Sequence, residues 1–264
     1  AVARLAESSG TARWEVEALA LRCGVKPLVY LRNLSGFTAE GQIRLLHSVV
    51  VCVGRGPVLA RVLDCLAGNG VGQLWLRVAL RDGEPVAAGE AVAADLAEGV
   101  RRKNPSCAVE GGTLALKRGN PAEALAGGQV VAAALDSAME EQLLQVACRL
   151  VRLPLVLGAA QDAAGQALTV FPGDPGVALV YRPDRPHLDP DRSGPPVAAP
   201  RPAGPLDPRP ADAVRVAEKA QVMVGTWIAE QVTRLLLDEG ALLQGRLLYA
   251  DLEEGAIGEH PLQP

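Results

Sequence analysis

The chain has 264 residues, 49% of them hydrophobic but only 3% aromatic, and a formal net charge of −4 at pH 7. That suffices for one large domain, or a domain with a lobe, whose core is built mainly from Ala, Val and Leu. The slight acidity excludes a global pull toward nucleic acid, and no run of about 18 uncharged apolar residues is present to span a membrane.

Residues 1–36 are mixed in character, with a helix predicted near Arg13–Arg22. Leu45 to Val53, apolar apart from His47 and Ser48, reads as a buried strand, with Gly54 and Gly56 just behind it. Pro57 opens a helix in which Val58, Leu59, Val62 and Leu66 face inward while Arg61, Asp64 and Gly68 share the other face. Gln73 to Val78 is the next strand. Strand, glycine turn, helix and strand in that order open a dinucleotide-type α/β domain, in which a helix N-terminus is aimed at a phosphate.

Helix Glu90–Lys103, Asn104-Pro105, a strand near Cys107–Leu116, strand Gln129–Leu135 ending at Asp136, helix Met139–Val151 and strand Pro154–Ala160 follow. Such alternation predicts a mostly parallel sheet. Gln166–Phe171 and Val177–Tyr181 read as an added antiparallel pair. Pro183 to Pro210 then holds ten prolines in 28 residues, which excludes helix and central strand and predicts an extended crossover or linker. After it Asp212 is expected to cap a long helix closing at Gly240. Its middle, Val222–Ala229, is apolar nearly all round and so buried on two sides, while Glu230, Arg234 and Asp238 mark the wet face. Leu243–Ala250 is the final strand.

The expected fold is therefore α/β: a Rossmann-like, mostly parallel sheet with helices on both faces, plus an antiparallel extension and a Pro-rich crossover. The division is residues 1–36 as a helical segment, 37–182 as the core, 183–210 as the crossover, and 211–264 as a helix and strand completing the same domain. Five dispersed cysteines (Cys23, Cys52, Cys65, Cys107, Cys148) read as reduced core residues of a cytoplasmic protein, and the first residues show no basic-then-apolar signal pattern. Arg101-Arg102-Lys103 offsets a helix dipole rather than binding nucleic acid. Trp14, Trp75 and Trp227 read as packing residues. Neither Ser137 nor Ser193 has a His–acid pair beside it.

Several short motifs occur in a fixed order: Tyr30-Leu31-Arg32-Asn33, Glu40-Gly41-Gln42-x-x-Leu45, Gly70-Val71-Gly72, Asn104-Pro105, Leu135-Asp136-Ser137, Leu153-Pro154-Leu155-Val156 and Gly165-Gln166 with Val170-Phe171. Together, from about Tyr30 to Leu252, they resemble the ubiquitin-activating-enzyme-like adenylyltransferases, the bacterial ThiF and MoeB proteins. That family adenylates the C-terminal glycine of a sulfur-carrier protein. It dimerises through its Rossmann-like core, and some members pair an active with an inactive half.

The resemblance implies ATP and magnesium as cofactors. Gly54, Arg55 and Gly56 would form the phosphate loop, Asp136 would hold magnesium, and Arg32 would reach across a dimer to a phosphate. Asp136 reads equally as a cap for the helix that follows, and Arg32 as a solvated surface residue. Several family features are missing. The glycine loop Gly-x-Gly-Gly-x-Gly is replaced by Gly54-Arg55-Gly56-Pro57-Val58-Leu59, where Pro57 lacks an N–H and Leu59 is bulky. Arg77 falls where an acidic residue would accept hydrogen bonds from a ribose. The stretch carrying the family's catalytic cations shrinks to Val78–Val92, with Arg81 its only basic residue, a loss that should cost orders of magnitude in rate. Zinc is not expected. The first cysteine pair falls on Val180-Tyr181-Arg182-Pro183 and the second beyond Glu259-His260-Pro261, and His187 with His260 cannot supply four ligands. The sulfur-handling cysteine is replaced around Pro210-Ala211.

The expected function is a catalytically degenerate adenylyltransferase scaffold that acts as a binding or partner subunit. It would be a homodimer, or a heterodimer with an active homologue, and would contact a ubiquitin-like carrier protein or a peptide tail. The alternative is an active ATP-dependent adenylyltransferase in which Arg55 or Arg81 replaces the missing cations. A third reading, an NADP-dependent oxidoreductase with Arg77 on the 2′-phosphate, lacks a Tyr-x-x-x-Lys pair.

Overall fold

The computed structural model describes residues 2–117, 120–180 and 211–262. The Pro183–Pro210 tract, Tyr181, Arg182, His187, Ser193 and the capping side chain expected at Asp212 lie outside them. The chain begins with α1 (Val2–Ser9), α2 (Arg13–Arg22), two 3-10 turns (Leu28–Tyr30 and Asn33–Ser35) and α3 (Ala39–Leu46). An alternating segment follows: β1 (Val49–Gly54), α4 (Gly56–Asn69), β2 (Gln73–Ala79), α5 (Val86–Lys103), β3 (Ala108–Leu114), α6 (Pro121–Leu125), β4 (Val130–Ala134), α7 (Ala138–Val151), β5 (Leu155–Gln161) and β6 (Ala164–Val170). Then come α8 (Val177–Val180), α9 (Ala211–Leu237), β7 (Arg246–Asp251) and β8 (Ala256–Pro261).

The eight strands form one sheet in the order β3-β2-β1-β4-β5-β6-β7-β8. The pairs from β3 to β5 are parallel and those from β5 to β8 antiparallel. The central strands β1 and β4 are covered on both faces, which is why they are apolar throughout, whereas the edge strand β3 is largely open. In β1, Val50 and Cys52 join one core with α4, α5 and α9, while Val51 and Val53 join the other with α6, α7 and α8. Gly225 lets α9 cross close over α4, since a Cβ there would lie 2.8 Å from the Val58 carbonyl oxygen. The Glu230–Arg234 ion pair, 2.8 Å, lies on the wet face of α9 as expected. Among the described residues no helix is long and apolar enough to cross a membrane.

Three local expectations need correction. The strand predicted from Leu45 begins only at Val49. Thr38 Oγ1 accepts a hydrogen bond from Gly41 N at 3.0 Å, starting α3, and Leu45 and Leu46 are its last residues. Val177–Val180 is a helical turn, not a strand, because Gln145 Oε1 accepts from Val177 N at 3.0 Å after the turn at Gly176. The antiparallel partners of β6 are β5 and β7 instead. The last strand is followed by another, β8, which forms a hairpin with it. All five cysteines are free; Cys52, Cys107 and Cys148 are buried, whereas Cys23 is at the surface.

Helix α4 carries the loop at the head of the sheet, and its far end is held with unusual completeness. The last four carbonyls of a helix have no partner within it. Here Val71 N donates to Leu66 O at 3.0 Å. Asn104 Nδ2 donates to Ala67 O at 2.9 Å, Asn33 Nδ2 to Gly68 O at 3.0 Å and Gln42 Nε2 to Asn69 O at 3.0 Å. Asn104 also donates to Tyr30 Oη at 3.2 Å, and that hydroxyl donates to the buried Glu17 carboxylate at 2.9 Å. Asn33, Gln42 and Asn104 come from three of the ordered motifs, which are thus brought together as anchors of one helix end. Replacing Asn104 by Ala is expected to cost about 1–3 kcal/mol, the penalty for stranding buried partners. Asn33→Ala, at a half-buried site, is expected to cost less; the urea midpoints of the two variants check the order.

Candidate functional site

The strand order reverses between β1 and β4, and this opens a crevice at the carboxyl ends of the parallel strands. Gly54 ends β1 there with φ 131°. A Cβ on it would sit 1.8 Å from the Ala134 carbonyl oxygen, so only glycine lets β1 lie this close to the end of β4. Arg55 N donates to the same oxygen at 3.3 Å. Gly56, with φ 76° and nothing within 4 Å of its would-be Cβ, supplies the turn into α4.

The Arg55 side chain crosses to the next strand. Its Nε donates to Ala79 O at 2.9 Å and its Nη2 to Glu84 Oε2 at 2.7 Å. Both side chains are largely covered, at 13% and 17% exposure. The same Glu84 oxygen accepts from Arg81 N at 2.8 Å. The Arg81 N–H and the Arg55 guanidinium hold the Glu84 carboxyl below the usual carboxylate range. Nearer solvent, Arg81 pairs with Asp136 at 3.6 Å, at 70% and 67% exposure, and Lys117 pairs with Asp82 at 2.6 Å. Burial raises the Glu140 carboxyl; Lys117 opposes the rise and Asp136 adds to it. The crevice these groups leave, lined by Arg55, Arg81, Asp136 and Glu140, has a volume of about 130 Å³. Sites for drug-sized ligands typically have roughly 300–1,000 Å³.

Of the residues singled out in the sequence, Arg55 and Asp136 line the crevice, and Gly54 and Gly56 flank Arg55 in the turn from β1 to α4. The helix cap before α7 is Ser137, and Asp136 instead faces Arg81. Arg77 does not end its strand. It lies two residues short of Ala79, on the face where its Nη2 donates to Glu110 Oε1 at 2.7 Å. Leu59 does not obstruct the loop; it is fully buried in the core beneath α4. Arg32 is exposed in the segment that packs on the C-terminal end of α4, away from the crevice of its own chain. Glu84, Lys117 and Glu140 complete the site but went unread in the sequence. Glu140 lies four residues after Asp136, one helical turn, and was the one accessible from spacing. Among the described residues, no group of three or more His, Cys, Asp or Glu side chains is placed to hold a metal.

The ThiF family model matches residues 85–264. The SAMP-activating enzyme E1 of Haloferax volcanii is 34% identical over 224 residues, covering 80% of this chain and 76% of that protein. The crystal structure of Escherichia coli MccB with AMPCPP and MccA superposes with a TM-score of 0.62 at 14% identity, covering 90% of this chain and 72% of that one. The crystal structure of PaaA gives 0.57 at 14% identity, covering 89% and 70%. At such identities these structures support the fold alone.

Two variants probe the geometry. Gly54→Ala is expected to lose about 3 kcal/mol or more, from the backbone clash and positive φ combined, and Gly56→Ala about 1 kcal/mol, as read from urea unfolding. For Glu84 the folded-state pKa lies below the ordinary value of 4.5. Its stabilising contribution is thus present above that pH and is lost as pH falls through the lower folded value. The stability gap between the parent chain and Glu84→Gln should be open at pH 7 and close on acidification below that ordinary value.

Proposed function

The chain belongs to the ThiF family, and we propose that it is a degenerate adenylyltransferase scaffold, acting as a binding or partner subunit rather than activating a carboxylate itself. The observation that carries this is the position of Arg55. In a working nucleotide loop, backbone N–H groups at a helix N-terminus face the phosphates. Here the guanidinium of the residue that opens α4 lines the crevice and is already tied to Ala79 O and Glu84. Pro57 removes one N–H from the first turn of α4. The small crevice, about 130 Å³, and the carboxylates of Asp82, Asp136 and Glu140 that line it disfavour a triphosphate and support this reading. Asp136, engaged with Arg81, offers magnesium a single carboxylate. Arg77, engaged with Glu110, is poorly placed for a 2′-phosphate.

A partner role draws support from the N-terminal segment. Leu19, Val25, Leu28, Val29 and Leu31 are all exposed, Leu28 at 84%, beside Arg32. An apolar patch of this kind suits contact with a second subunit of the same family, and Arg32 would then lie at the joint. The names of the similar proteins, a SAMP-activating enzyme and a complex with MccA, make a small carrier protein or a peptide tail the natural ligand class.

One observation favours the alternative of an active adenylyltransferase: the 34% identity to an activating enzyme over most of the chain. Arg55, Arg81 and Lys117 would then stand in for the missing cations. Pyrophosphate exchange separates the two. The purified chain with ATP, magnesium and ubiquitin-like carriers is expected to give none; carrier-dependent exchange abolished by Asp136→Ala would refute the degenerate reading. Leu28→Glu is expected to shift the sedimentation coefficient from dimer to monomer.

A further inference from the structure

The loop Leu80–Glu84 is a partition. On one side lies the crevice of about 130 Å³; on the other is a cavity of about 320 Å³ between the loop and Ala115–Lys117. The inner anchor of the partition is the Glu84 carboxylate. One of its oxygens receives both the Arg55 guanidinium at 2.7 Å and the Arg81 N–H at 2.8 Å. The outer contacts, Arg81 with Asp136 and Lys117 with Asp82, are much more solvated and correspondingly weak.

A guanidinium and a backbone N–H converging on one oxygen constitute an anion site, in which charge-assisted hydrogen bonds do most of the holding. Here the bound anion belongs to the chain itself. We propose that Arg55 and the Arg81 N–H form an oxyanion-binding site whose resting occupant is Glu84, and that the terminal carboxylate of a partner's peptide tail displaces it. Displacement frees the loop and joins the two cavities into one groove. Gly83, with φ 78° and open space around it, gives the loop a pivot.

A carboxylate is favoured over a phosphate by the surroundings. It exchanges like for like with the Glu84 headgroup. A dianionic phosphate would set an extra negative charge near Asp82, Asp136 and Glu140, which line the same space. The proposal rests on reading the crevice as a binding site for a tail, and not on whether adenylation is lost.

Calorimetry on the full chain tests it, using a short glycine-ended peptide as free acid and as amide, and inorganic phosphate. Glu84→Ala is expected to bind the acid peptide at least about tenfold more tightly than the parent chain, a difference of roughly 1.4 kcal/mol. The amide should gain nothing, and adding Arg55→Ala should abolish the gain. Glu84→Gln, which keeps a hydrogen-bonding side chain, should show a smaller gain in the same direction; it carries the test if Glu84→Ala does not fold. No gain for either anion, or a gain that survives Arg55→Ala, overturns the site. A gain for phosphate equal to that for the acid peptide overturns the assignment to a tail. Adenylation by the unmodified chain would sink the degenerate reading and leave these outcomes unchanged.

Discussion

The position of the Arg55 guanidinium decides what the head of the sheet can accept. Gly54 is pressed against the end of β4, which fixes the direction of the backbone as it leaves β1. From there the Arg55 side chain spans to the end of β2, where the Ala79 carbonyl and the Glu84 carboxylate receive it. The result is a largely covered ion pair beside the turn that leads into α4. On the proposed reading, a nucleotide phosphate would have to compete with Glu84 for the Arg55 guanidinium. Exposed ion pairs contribute little, but this one is mostly covered and also holds a backbone N–H, so displacing it leaves several groups to be satisfied anew.

The scaffold around the crevice is by contrast well maintained. Helix α4 is secured at its far end by amides from three separate segments, and the buried Tyr30–Glu17 contact joins the N-terminal helices to the same point. These residues belong to the motifs by which the family is recognised. Their persistence reflects the demands of closing a helix terminus and docking it on the sheet, which hold whether or not chemistry occurs at the other end. Family membership and catalytic competence rest on different residues, so the first does not decide the second.

Much of the fold was legible because a strand buried on both faces needs an unbroken apolar run, and β1 and β4 each have one. Asp136 was legible too, since it directly follows such a run. The errors have physical causes. Leu45 and Leu46 extend an apolar run that Thr38 has already committed to helix, and a short apolar run does not distinguish the two. Leu59 was given the right, inward face but was also expected to crowd the loop, and Arg77 was given the right strand but the wrong position in it. A strand that runs two residues further than expected leaves Arg77 on the sheet surface beside Glu110 instead of at its tip, and a helix residue facing the core does not obstruct a ligand. Glu84 and Lys117 were invisible because their partners are distant in sequence: Arg55 and Glu84 are 29 residues apart, and Lys117 and Asp82 are 35 apart.

The most direct test of the central claim is a calorimetric titration of the unmodified chain with ATP and magnesium. The account predicts no measurable heat of binding at micromolar protein, because Glu84 already engages the Arg55 guanidinium. Saturable one-to-one binding with a micromolar dissociation constant, lost when Asp136 is replaced by Ala, would contradict it.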